Sequence, residues 1–220
     1  MSSPLIQFKD WKYSEFAALG TKLGGPEVAR KLLSCQRASV NFIDSGNFAT
    51  ITADPPAWEV WQTIKIGTGV KSGKAFCSEL EKKKFRIGDW ASDILKQDAF
   101  TVATQEEDVD LVNLSVADLG FKKGARYDAI CIRALELGLE LCPAEVGPQL
   151  RLQYPDQPRD KWLVVAMDAL RDSNGNLRVF VVVHGSAGRW LHTCDGHPDS
   201  FFDGDLRFVF RLPRKQPVAA

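Results

Sequence analysis

Apolar and polar positions change their spacing twice along the chain. From Trp11 to Leu33 the apolar residues fall loosely at helical intervals. Trp11, Phe16 and Leu19 form one weak stripe, and Val28, Leu32 and Leu33 follow behind Pro26, a residue that a first helical turn accepts. Val40 to Thr52 alternates around Asp44-Ser45-Gly46-Asn47, the pattern of a hairpin with a polar turn. Asp54-Pro55-Pro56 then interrupts helix and central strand alike, because proline lacks the amide and fixes φ. A boundary is expected there, between a small helical and hairpin lead-in over 1–54 and a main domain over 57–215.

The middle of the chain mixes the two periods. The second half of Trp58–Ile66 reads as a strand, and Val109–Leu114 as another. Ser72–Phe85 reads as a helix capped by Ser72 and closed by Lys82-Lys83-Lys84, cations that suit the negative end of the helix dipole. Gly88–Leu95 is a second short helix, and Ser115 with Asp118 three residues on resembles a capping box. Arg126–Leu137 puts Ile130, Ala134 and Leu137 on one face, with Gly138 placed to end it.

After Pro143 the period becomes two. Leu150–Tyr154, Trp162–Met167, Leu177–Val183, Arg189–His192 and Leu206–Leu212 read as strands. Ser173-Asn174-Gly175-Asn176 and Gly185-Ser186-Ala187-Gly188 separate some of them, and their Asn and Gly residues tolerate positive φ. Val179–Val183 is apolar on both faces and reads as the central strand. The expected fold class is α+β: a helical N-terminal lead-in, a mixed α/β middle and a C-terminal antiparallel β-meander.

Charge narrows the choice of partner. Lys and Arg number 28, Asp and Glu number 28, and the formal net charge is zero. Nucleic-acid binding draws on Lys and Arg meeting phosphates, so neutrality disfavours it unless the charge is segregated, on Lys82–Lys84 or Arg211–Lys215. No run approaches the roughly 20 apolar residues of a membrane span. Met1–Asp10 is too mixed for a signal peptide. The five cysteines are irregularly spaced, which points to free thiols and a cytoplasmic setting.

Two groups could carry chemistry. All three histidines lie within a short stretch, His184, His192 and His197, with Cys194 between the last two. Thiolate and imidazole suit zinc, so His192, Cys194 and His197 are candidate ligands. Asp195 or Glu145 would be the general base of a metal-dependent hydrolase, and Trp190 could floor a binding pocket. The plainer reading is a polar hairpin loop that happens to hold histidine. The second group is Glu145 to Gln157. If Gln149–Tyr154 is a strand, Gln149, Arg151 and Gln153 share one face. Arg151 would then offer a fork to a carboxylate or phosphate, against the plainer reading of a wet sheet face. Gly67–Lys74 resembles a phosphate loop but has Thr68 where the first glycine belongs and Ala75 after Lys74. It reads as a plain loop. The acidic run Glu106, Glu107, Asp108 and Asp110 lacks the glycine of an EF-hand.

Leu119-Gly120-Phe121, the stretch from Leu139-Glu140-Leu141-Cys142-Pro143-Ala144-Glu145 through Tyr154, Asp156-Gln157-Pro158, Trp162-Leu163 and Phe208-Val209-Phe210 together resemble a family of small uncharacterised bacterial proteins from candidate phyla. The resemblance covers about the last half of the chain. It implies a shared fold, carries no activity, and marks Glu145–Gln157 as the family's signature. The leading expectation is a non-catalytic protein that binds a partner protein or small ligand on the C-terminal sheet. The zinc-dependent hydrolase comes second and a nucleic-acid role third.

Overall fold

A computed structural model describes the backbone of residues 5–7, 37–43 and 47–54, and backbone and side chains of residues 58–213. The helices expected over Trp11–Leu19 and Glu27–Leu33 lie outside the described residues. The chain divides into two compact units, one of Met1–Trp58 with Leu135–Gly138 and one of Glu59–Ala134 with Leu139–Ala220.

In the first unit, β1 (Leu5–Gln7), β2 (Arg37–Ile43) and β3 (Asn47–Asp54) form an antiparallel sheet. β2 and β3 are the expected hairpin, with a register shift between Asn41 and Phe42.

The second unit is α+β. In chain order it contains β4 (Gln62–Ile66), α1 (Gly73–Lys82), β5 (Arg86–Ile87), α2 (Asp89–Leu95), β6 (Glu107–Ser115), β7 (Ala125–Arg126) and all but the last two residues of α3 (Tyr127–Glu136). There follow α4 (Val146–Gln153), β8 (Lys161–Val165), β9 (Leu170–Arg171), β10 (Leu177–Gly185), β11 (Gly188–Asp195), β12 (Phe201–Phe202) and β13 (Arg207–Arg211). Local chemistry explains many ends. The Ser72 hydroxyl accepts from the Ala75 amide at 3.2 Å, capping α1. Ser115 N donates to Asp118 at 2.8 Å and Asp118 N to Ser115 Oγ at 3.1 Å, the reciprocal pair expected there. Phe76 and Leu80, one turn apart, are the buried stripe of α1.

The main sheet runs β4-β6-β13-β8-β10-β11-β5, with β9 paired to β10. It is mixed, which corrects the expected antiparallel meander. Within it, β10 does pair antiparallel with both β8 and β11. However, β13 returns to insert between β8 and β6, parallel to β8, and β5 lies parallel to β11. An alternating pattern shows that a segment is a strand and not which neighbour it takes. β10 is an interior strand, and Val179–Val183 are all buried.

Helices cover both faces. Val181, Val164 and Phe208 sit side by side in register, hence on one face, and Tyr127 of α3 packs on Phe208 there. Phe180 points the other way, and Gly147 of α4 approaches it so closely that a Cβ would lie 2.5 Å from its ring. α4 touches β4, the edge of the sheet, as well as β10 and β11. Five strand spacings, roughly 24 Å in a flat sheet, separate β4 from β11, whereas eight helical residues span about 12 Å. The sheet therefore curls around α4. Seven consecutive residues of that helix, Val146 to Leu152, are buried.

Candidate functional site

α4 corrects the expected strand over Leu150–Tyr154. Gln149, Arg151 and Gln153 do not form a wet sheet face. They project from a helix enclosed by the second unit. Pro148 lies in its first turn, where the missing amide costs nothing.

Glu145, Gln149 and Gln153 recur every four residues and so line one side of the helix. Glu145 precedes its first turn and is 1% exposed. Its Oε1 accepts from Gly67 N at 2.8 Å and Gln149 Nε2 at 2.9 Å, and its Oε2 from Ala103 N at 2.7 Å. Gln149 also donates to Thr68 Oγ1 at 2.8 Å and accepts from Gln153 Nε2 at 3.0 Å. Gln153 completes the row by pairing with the backbone of β4, donating to Lys65 O at 2.7 Å and accepting from Lys65 N at 2.9 Å. An edge strand exposes such groups to foreign strands, and Gln153 occupies them here.

The loops that Glu145 holds are the walls of a cleft of about 310 Å³, lined by Gly67, Gly69, Val70, Lys71, Val102, Ala103 and Thr104. Gly67 has φ +69°, and a Cβ there would lie 2.1 Å from Gln105 O. Only glycine fits this bend. The Gly67–Lys74 segment is thus more than a connection: its first part is one wall, fixed by a carboxylate seventy-eight residues away.

Arg151 lies on another side of α4 and is fully buried. Its Nη1 donates to Gln157 Oε1 at 2.6 Å and to Val183 O at 3.5 Å, and its Nη2 to Tyr154 O. The guanidinium stands 4.8 Å from the Phe85 ring centre. All these acceptors are neutral, and Arg151 Nε has no partner. Burial, and then the charge of Arg189, hold the guanidinium down to about 10. Gln157 is itself buried and is fixed by donating to Lys161 O and Val182 O, each at 3.0 Å.

The histidine group does not assemble. His192 is exposed on β11, its Nδ1 2.9 Å from Thr193 O. His197 is exposed beyond the strand end, its Nδ1 3.3 Å from Asp199 N. Cys194 faces Tyr127, and burial followed by the charge of Asp195 pushes its thiol up to about 12. Among the described residues no three His, Cys, Asp or Glu side chains come together closely enough to hold a metal ion. The proposed ligand set His192, Cys194 and His197 is therefore not supported by the geometry. Asp195 accepts from His197 N at 3.0 Å and braces the turn. Trp190 stacks 5.2 Å from the Arg86 guanidinium. Alternation puts Trp190, His192 and Cys194 on the sheet face away from α4, so Glu145 and Arg151 share no surface with them.

The sequence pattern gave Thr68 and Gln157 no role of their own and did not single out Ala103 or Arg189. The four-residue spacing of Glu145, Gln149 and Gln153 was the available signal for the helix. Compared with known proteins, the chain matches no family model, no curated protein and no solved structure.

Proposed function

We propose that this chain is a non-catalytic binding protein that takes a small ligand in the cleft between loops 67–71 and 102–104. The observation that carries the reading is the Glu145 clamp: one buried carboxylate ties both walls, so the cleft is pre-formed. Pre-formed clefts bind without the cost of ordering loops, and this volume is at the lower end for small-molecule sites. The same contacts argue against Glu145 as a general base, because both of its oxygens already accept hydrogen bonds. Lys71 on the wall favours a ligand bearing an acid group. On this reading the site lies beside α4 rather than on the open sheet.

The other readings have less support. The metal-dependent hydrolase would need His192, Cys194 and His197 to converge. For nucleic acid, Lys82 is paired with Glu79, and Arg211 with Glu140 and Glu107. Among the described residues no helix is long and apolar enough to cross a membrane. Cys77, Cys131, Cys142 and Cys194 are free thiols, which supports a cytoplasmic setting. If the resemblance to small bacterial proteins holds, the Glu145–Gln157 signature is the part that builds the clamp.

The test is a ligand-observed NMR screen with small carboxylic acids, on the wild type and on Thr104→Trp. That substitution fills the cleft from an exposed position and leaves the Glu145 contacts alone. Hits that vanish in Thr104→Trp support the reading. Hits that bind both proteins equally would place the site elsewhere and overturn it.

A further inference from the structure

At the other end of α4 the structure holds two arginines with idle donors. Arg151 Nε and Arg189 Nε are both buried and both lack an acceptor among the described residues. Neither guanidinium is paired with a described carboxylate. Arg189 stands opposite His184 in the β10–β11 register, on the sheet face that packs against α4. Val183, next to His184, presents its carbonyl to Arg151. Gln157 ties the corner together, accepting from Arg151 through Oε1 and receiving His184 Nδ1 on its backbone oxygen at 2.5 Å. A carbonyl only accepts, so that ring nitrogen carries the proton. The corner is thus lined by donors and by neutral acceptors already in use.

A buried guanidinium facing a second cation, with no counter-charge, is costly, and idle buried donors call for a partner. We propose that this corner, between the C-terminal end of α4 and the β10–β11 turn, is an oxyanion site for a ligand carrying a dianionic phosphate ester. Two positive charges match the roughly −2 charge of a phosphate monoester, and a guanidinium fork suits its paired oxygens. Arg189 is only half-buried, so it meets the ligand. Arg151, fully enclosed, is the positioning residue behind it, acting through its charge. This site is separate from the cleft held by Glu145.

The probe is inorganic phosphate, added to the full chain at pH 7 with ionic strength held constant by sodium chloride, so that screening is unchanged. Binding is read by calorimetry and by the rise in Tm. Phosphate should bind and raise Tm, and Arg189→Gln should lower its affinity at least tenfold while the circular dichroism spectrum stays native. Arg151→Lys keeps the charge but not the fork, and should weaken phosphate less than Arg189→Gln does. Lys123→Gln, an exposed change outside the corner, should bind as the wild type does. Thr104→Trp should also leave phosphate binding intact, which separates failure here from failure at the cleft. No binding, or equal binding by Arg189→Gln, would overturn the site. Acetate binding as tightly as phosphate would overturn the dianion assignment.

Discussion

The two ends of α4 bury opposite charges under different terms. Glu145 and Arg151 are 1% and 0% exposed. The carboxylate meets two backbone amides and a side-chain amide, and both its oxygens are engaged. The guanidinium meets only neutral acceptors, leaves Nε idle, and has Arg189 as its charged neighbour. A buried charge whose hydrogen bonds are complete does a structural task, and at Glu145 that task is to hold two loops. A buried charge left incomplete and beside its own kind has no such closed task, and it is here that the anion is proposed. Burial alone does not distinguish the two cases; the inventory of partners does.

The sharpest way to break the comparison is Glu145→Ala. It strands the amides of Gly67 and Ala103 and the Gln149 side chain, so it should destabilise the fold by about 3–5 kcal/mol. Urea unfolding would show this as a lower midpoint at unchanged m. A loss below about 1 kcal/mol, the net worth of an ordinary hydrogen bond, would mean the carboxylate is not the clamp. Gly147→Ala comes next and acts on both ends at once. A Cβ there lies 2.5–2.7 Å from Phe180 atoms, and the overpacking should cost about 2 kcal/mol in the same measurement. A stabilised variant would show that α4 can back away from β10, and then neither end is held as described.

What the sequence could reveal divides along the same line. Ser72, the Ser115–Asp118 pair and Gly138 act on residues within a few positions of themselves, and the local pattern was enough to place them. α4 is different. It is buried on all sides, so no polar stripe marks its outer face, and Gln149, Arg151 and Gln153 fit an alternating strand as readily as Glu145, Gln149 and Gln153 fit a helix. The choice is made by Gly67, Ala103 and Lys65, which are distant in sequence. The place of β13 between β6 and β8 is equally non-local. His192, Cys194 and His197 show the converse error, since closeness along the chain did not bring the side chains to one point. The candidate residues Glu145, Gln149, Arg151 and Gln153 do lie together on one element, but their roles could not be read before their partners were known.

Smaller effects sharpen the contrast. Gln153→Leu removes the cover from Lys65 N and O on the edge strand β4. The expected loss is about 1 kcal/mol. The more telling readout is self-association, because an uncovered edge recruits other strands. Sedimentation should show concentration-dependent growth that the wild type lacks. Unchanged sedimentation would mean that Gln153 is not what protects the edge.

The smallest effect is expected at the buried guanidinium. Arg151→Met removes hydrogen bonds to Gln157, Val183 and Tyr154 but also removes an unneutralised buried charge. Apolar replacement of buried charge is often neutral or better, so stability in phosphate-free buffer at pH 7 should change by less than about 1 kcal/mol. The pH dependence adds a sign. Burial and then Arg189 hold Arg151 at about 10, below the ordinary value of about 12.5. Above pH 10 the unfolded chain therefore keeps the proton more firmly than the folded one, and wild-type stability gains from this group as pH rises. The difference between wild type and Arg151→Met should be flat from pH 6 to 9, then shift toward the wild type above 10. A Met variant several kcal/mol less stable at pH 7, with no such shift, would mean that Arg151 is as complete as Glu145. Adding phosphate should move the same difference toward the wild type at neutral pH, because only the wild type retains the complete pair of cations for which the anion is proposed.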